Sequence, residues 1–171
     1  ASDVYKRQGY KIIYGSYAST DVYYRKPLTF HTCNPQAPAT SFVMVNDIHG
    51  DNKLLEDLMS RCNLTQTDFV LFNGDMLSFI NSEDQLFKGF MDTAVRLFAS
   101  EIPMYYARGN HETRGVFATE IQRYFSPCQE HLYYAFRQGP VYCIVLDTGE
   151  DKPDSDIEYA GITQYDLYRT E

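Results

Sequence analysis

Three short stretches carry residues able to do chemistry together: Asp47-Ile48-His49-Gly50, Asn73-Gly74-Asp75 and Arg108-Gly109-Asn110-His111-Glu112. Carboxylates, imidazoles and an amide oxygen, with no sulfur among them, make a donor set suited to Mn, Fe, Zn or Mg-class ions rather than to a structural thiolate zinc site. Asp47 and His49 stand two apart, a spacing that lets both side chains turn toward one ion at a strand end. Asp75, with two oxygens, is able to bridge two ions. Two ions about 3.5–4 Å apart bind both sides of a phosphoryl group and activate a water between them. Taken singly, an Asp or Asn at a strand end is an ordinary cap or turn former, and Asp51 is read that way, as an acid opening a helix. Gly50, Gly74 and Gly109 alone mean only tight turns. Independent caps have no reason to fall as Asp-x-His, Gly-Asp and Gly-Asn-His-Glu in that order.

Something must deliver these stretches to one place. Each follows a short apolar run, at residues 42–45, 69–72 and 103–107, of the kind that makes a buried strand. Between the first two runs, Leu54, Leu55, Leu58, Met59 and Cys62 recur at helical spacing. Between the second and third, Ser82 serves as N-cap with Gln85 three residues on, followed by the apolar stripe Leu86, Phe87, Phe90, Met91, Ala94, Val95 and Phe98. Gly89 weakens that helix slightly. Three strands joined by two helices predict right-handed crossovers and a parallel, doubly wound sheet, whose ligands bind just outside the carboxyl ends of the strands. Residues 112–125, with Val116, Phe117, Ile121 and Phe125, predict a shorter helix. The period then changes to two: residues 132–136 and 141–147 flank Arg137-Gln138-Gly139-Pro140, a hairpin signature.

Upstream, residues 9–30 are rich in β-formers and read as the last strands of a domain begun earlier, while residues 1–8 continue no pattern and are set aside as a tag or boundary. Residues 34–40, with two prolines, read as a linker. The expected organisation is a β-rich segment with linker at 1–40 and a main domain over 41–171. Residues 150–158 are expected as an exposed acidic loop, and 161–171 as the start of a helix.

The chain has 171 residues, 44% hydrophobic and 22% charged, with 15 Tyr and 11 Phe, enough for one domain with a real core. A formal charge of −8 without a Lys/Arg cluster argues against nucleic-acid scaffold binding, and an anionic substrate requires a local cation to offset that field. Cys33, Cys62, Cys128 and Cys143 form no C-x-x-C pair; they are read as reduced core thiols, with a disulfide, and hence an oxidising compartment, left open. No run reaches the length of a transmembrane segment.

In letters, order and strand-end placement, Asp47-x-His49, Gly74-Asp75 and Gly109-Asn110-His111-Glu112 resemble the signature of the calcineurin-like metallophosphoesterase superfamily, over residues 42–147. The resemblance implies an α/β half-sandwich, β-α-β-α-β followed by a β-hairpin: the N-terminal part of a metallophosphoesterase domain, C-terminally incomplete. It implies two metal ions, Asp47 and His49 binding the first, Asp75 bridging, and Asn110 binding the second. His111 is then the general acid or the charge stabiliser for the leaving oxygen. Arg108 and Arg114 flank that motif and are candidates to steady a phosphate oxygen as a planar fork.

Members of the superfamily complete the dimetal site with a further His and a Gly-His-x-His segment. The four histidines here are His31, His49, His111 and His131, and the first and last fall outside the motifs. The expectation is therefore phosphate-ester hydrolysis by a dinuclear site of which this chain holds only part, giving weak metal binding and little turnover. The alternative is a noncatalytic binding or scaffold protein with a degenerate site. The β-rich segment ending in Phe30-His31-Thr32 is similar to the tail of the domain that precedes the catalytic domain in purple acid phosphatases, which favours an extracytoplasmic location. Those enzymes carry a Tyr ligand three residues after the bridging Asp, where this chain has Ser78; protein Ser/Thr phosphatases continue with Val-Asp-Arg-Gly, where it has Met76-Leu77-Ser78-Phe79. The reading is a general calcineurin-like phosphoesterase without the tyrosinate iron site. A Rossmann nucleotide site is a poor fit, because no Gly-rich turn follows the first strand.

Overall fold

The computed structural model describes residues 5–8, 11–16, 19–24, 28–31, 33–125 and 131–149. Its centre is a three-stranded parallel sheet of β5 (Phe42–Val45), β6 (Phe69–Asn73) and β7 (Met104–Ala107), in that order. All three are rich in β-branched, aromatic or long apolar residues, as strands of a packed sheet are; β6 is mostly buried, while Phe42 and Met44 leave one face of β5 exposed. The register pairs Val45 with Phe72 and Phe72 with Tyr106, so the strands finish level. The turns that leave the three strands consequently emerge at a common edge.

Alternate residues face opposite sides of a sheet. Val45, Val70, Phe72 and Tyr106 join Leu55, Met59, Leu86, Phe90, Ala94 and Phe98 in one buried cluster. Leu55 and Met59 come from α1 (Asn52–Ser60), capped by Asp51, whose carboxylate accepts from Leu54 N at 3.0 Å as expected of an acid opening a helix. The others come from the segment capped by Ser82. There α2 (Glu83–Leu86) and α3 (Asp92–Ala94) alternate with π turns at Phe87–Met91 and Val95–Ala99. Ser82 Oγ accepts from Gln85 N at 3.2 Å, and Gln85 Oε1 accepts from Asn81 N at 2.9 Å. Gly89 is an asset here: a Cβ on it would overlap the Leu77 side chain, so its absence lets the loop after β6 rest on the helix.

Both crossovers pack in this one cluster and α1 touches α3. The expected double winding is thus corrected: strands in consecutive order with same-handed crossovers place their helices on one face. The other face is met by the predicted hairpin, β8 (Tyr134–Gln138) and β9 (Val141–Val145). Phe136 stacks on Tyr105 with centroids 3.6 Å apart and meets Phe69 edge-on at 5.5 Å. Tyr134 Oη donates to Tyr106 O at 2.8 Å and accepts from Tyr106 N at 3.0 Å, so a side chain satisfies backbone at the outer edge of β7.

The helix expected over 112–125 is broken. It consists of a 3₁₀ turn at His111–Thr113, another at Ala118–Ile121 and the single turn α4 (Gln122–Phe125). The break has a cause in Gly115, at φ +98°, where a Cβ would overlap the Ile80 carbonyl. Ile80 N donates to Arg114 O at 2.8 Å and Phe117 N to Ile80 O at 2.9 Å, so the chain pairs with its neighbour instead of coiling.

In the first forty residues β1 (Tyr5–Gln8) pairs antiparallel with β4 (Leu28–His31), and β2 (Lys11–Ser16) with β3 (Ser19–Tyr24). Setting residues 1–8 aside therefore missed a strand. Thr29 N and Oγ1 both donate to Glu101 Oε1 at 3.1 Å. Cys33 is exposed, against the expected core position, while Cys62 and Cys143 are half-buried; all three are free thiols. Cys128, the acidic loop and the C-terminal helix start lie outside the described residues. Among the described residues no helix is long and apolar enough to cross a membrane.

Candidate metal centre

The first two motif turns continue the sheet by backbone contacts after their strands end. Asp47 N donates to Gly74 O at 3.1 Å, His49 N to Asp75 O at 2.9 Å and Gly50 N to Met76 O at 2.7 Å. Asp47, His49 and Asp75 take left-handed backbone, at φ 56°, 52° and 54°. Non-glycine residues avoid that region, and strain of about 1–3 kcal/mol per site persists only where the surroundings over-determine it, typically at functional sites. Gly74 and Gly109 make the turns fit: a Cβ on Gly74 would lie 2.8 Å from Gly109 Cα, and one on Gly109 would overlap Asp75 Oδ1.

Glu112 clamps the second and third turns together. Its buried carboxylate accepts from Asp75 N and Gly109 N at 3.0 Å through Oε2, and from Leu77 N at 2.8 Å through Oε1. Burial pushes its carboxyl above the usual range, and the three backbone N–H groups pull the other way. Sequence reasoning saw Glu112 only as the last letter of a motif.

The outcome is a convergence of three donors. Ligand atoms of His49, Asp75 and His111 all lie within 4.8 Å of one another. The two imidazoles meet edge to face at 4.7 Å, and His111 N donates to Asp75 Oδ1 at 3.2 Å. Ions of the class expected from the sequence bond N and O donors at about 2.0–2.2 Å, so neighbouring donors on one ion stand roughly 3–3.5 Å apart, and these three are near enough to draw in around one. The residues present fit such an ion. Asp47 stands at the rim, 61% exposed, with Oδ1 3.8 Å from His49 Nε2 and Oδ2 accepting from Asn46 Nδ2. Asn110 opens the His111–Thr113 turn and is half-buried; its carbonyl accepts from Thr113 Oγ1 at 2.6 Å.

Of the two arginines, Arg114 is at the site, with Nη1 3.0 Å from His111 Nδ1. Arg108 is a correction. Its side chain is 0% exposed and that of Asp147 1%, with Nη2 2.8 Å from Oδ2 and Nε 3.1 Å from Oδ1, so a guanidinium offered to phosphate is instead locked in a buried fork that ties β7 to the end of the hairpin. Ser78, noted in the sequence only for not being Tyr, lies against both imidazoles: Oγ is 3.2 Å from His49 Nδ1 and its carbonyl 3.1 Å from His111 Nδ1.

A family model for calcineurin-like phosphoesterases matches residues 40–169. Comparison with curated proteins gave no match. Among solved structures, a purple acid phosphatase isolated from yellow lupin (Lupinus luteus) seeds is similar with a TM-score of 0.61 at 18% identity, over 95% of this chain and 32% of its own. That likeness is one of fold, and this chain spans about a third of the length of that protein. A parallel sheet ending in Asp-x-His, Gly-Asp and Gly-Asn-His-Glu turns, matched by the family model over most of its length, has one reading: the chain belongs to the calcineurin-like phosphoesterase family.

Proposed function

We propose that this chain supplies the N-terminal part of a dinuclear metal site that hydrolyses phosphate esters. The observation that carries the reading is the convergence of His49, Asp75 and His111 from three strand ends, with Asp47 at its rim. In this reading Asp47 and His49 hold one ion, Asp75 is shared, and Asn110 turns its amide oxygen to the second. Two ions of the Mn, Fe, Zn or Mg class, when bound, supply positive charge against the phosphoryl oxygens and a nucleophile at neutral pH. His111 protonates the leaving oxygen or stabilises its charge, and Arg114 orients His111 or takes a phosphate oxygen.

Turnover is expected to be slow, since the sequence offers no Gly-His-x-His segment to complete the ligand set. The test is an assay with Mn against p-nitrophenyl phosphate and its bis ester. Asp75→Ala and His111→Ala are each expected to remove at least about 100-fold of any rate, the usual scale for a positioned acid–base group or charge stabiliser. Rates that survive both substitutions overturn the reading. The second reading is a noncatalytic binding protein with a degenerate site, supported by a chain that binds Mn and cleaves neither ester.

A further inference from the structure

We propose that Ser78 is the positioning residue that fixes which nitrogen of His49 faces the metal site, through its hydroxyl on the other ring nitrogen. The inference rests on the hydrolase reading only for the purpose it serves. Ser78 sits on a fixed loop: Met76 O accepts from Gly50 N, Leu77 N is held by Glu112 and its side chain by Gly89, and Ile80 is paired on both N and O. From there Oγ reaches His49 Nδ1 at 3.2 Å and the carbonyl reaches His111 Nδ1 at 3.1 Å.

His111 Nδ1 faces an acceptor, the Ser78 carbonyl at 3.1 Å, and a donor, Arg114 Nη1 at 3.0 Å, so Ser78 does not decide the tautomer of that ring. A hydroxyl is able to accept as well, so an Nδ1–H of His49 pointing at Oγ leaves its Nε2 as the lone-pair nitrogen, on the side where Asp47 Oδ1 stands 3.8 Å away. A ring held from behind in this way presents a ready ligand; without the partner it samples both tautomers and other orientations.

The experiment is long-range ¹H–¹⁵N NMR of the histidine rings in the metal-free chain, with calorimetric Mn titration alongside. His49 is expected as the Nδ1–H tautomer. Ser78→Ala should turn it into a mixture and weaken Mn binding about 10-fold or more, the usual scale for losing a partner that orients a ligand. Ser78→Thr, which keeps the hydroxyl, should restore both. A wild-type His49 carrying its proton on Nε2 overturns the proposal whatever the variants do, as does a folded Ser78→Ala with tautomer and Mn affinity unchanged. Failure to hydrolyse either ester, with the His49 tautomer as expected, overturns the hydrolase reading and leaves this one standing.

Discussion

A carboxylate at position 112 decides whether two of the motif turns touch. Its two oxygens accept three backbone hydrogen bonds, from Asp75 N and Gly109 N on one and from Leu77 N on the other. Glu112→Gln keeps the shape and converts one oxygen into an NH₂ that faces N–H donors. The buried donors left without an acceptor cost about 1–3 kcal/mol. The expected result is a lower urea midpoint with an unchanged slope, together with weaker Mn binding; an unshifted midpoint shows that the clamp carries no stability. Individual residues differ in how readable they are. Asp47, His49, Asp75, Asn110 and His111 announce themselves because each sits within a few positions of a strand end and shares its motif with a glycine. Ser78, Glu112 and Asp147 do not, because what defines them is a partner 29 to 39 positions away. Arg108 was misread for the same reason, since nothing near it in sequence reveals the acid that neutralises it.

Among the elements, the join between hairpin and sheet is the most vulnerable, because it is held by a fully desolvated ion pair. Removing one partner leaves the other charge buried and uncompensated, at a cost of about 3–5 kcal/mol, whereas replacing both with apolar groups is often nearly neutral. Asp147→Ala is therefore expected to unfold at much lower urea than the native chain. The double substitution Arg108→Met with Asp147→Leu should recover most of the loss. A double variant whose destabilisation equals the sum of its single variants removes the pair as the unit that docks the hairpin. Periodicity foretold the three strands, both crossover helices, their caps at Asp51 and Ser82, and the hairpin around Gly139-Pro140. It failed for residues 112–125, where Val116, Phe117 and Ile121 imitate a helical stripe while Gly115 requires a left-handed turn against Ile80. Winding on one face rather than two was not legible either, because strand order is set by which edges meet and leaves no period in the chain.

For the whole molecule the governing quantity is charge. The chain carries a formal net charge of −8 and the outermost carboxylate of the site, Asp47, is 61% exposed, so a divalent cation approaches down a favourable potential that mobile ions are able to weaken. Screening shortens from about 30 Å at 0.01 M salt to about 8 Å at 0.15 M, which removes the contribution of distant acids and spares that of donors in direct contact. Mn titrated into the chain is accordingly expected to bind about one equivalent, with an affinity that falls several-fold across that salt range, and Asp47→Asn should reduce both the affinity and its dependence on salt. Two tight equivalents would contradict a site only partly supplied by this chain. An affinity indifferent to salt would show that His49, Asp75 and His111 act without help from the surrounding field, and would move Asp47 from the rim of the site to the ordinary acidic surface.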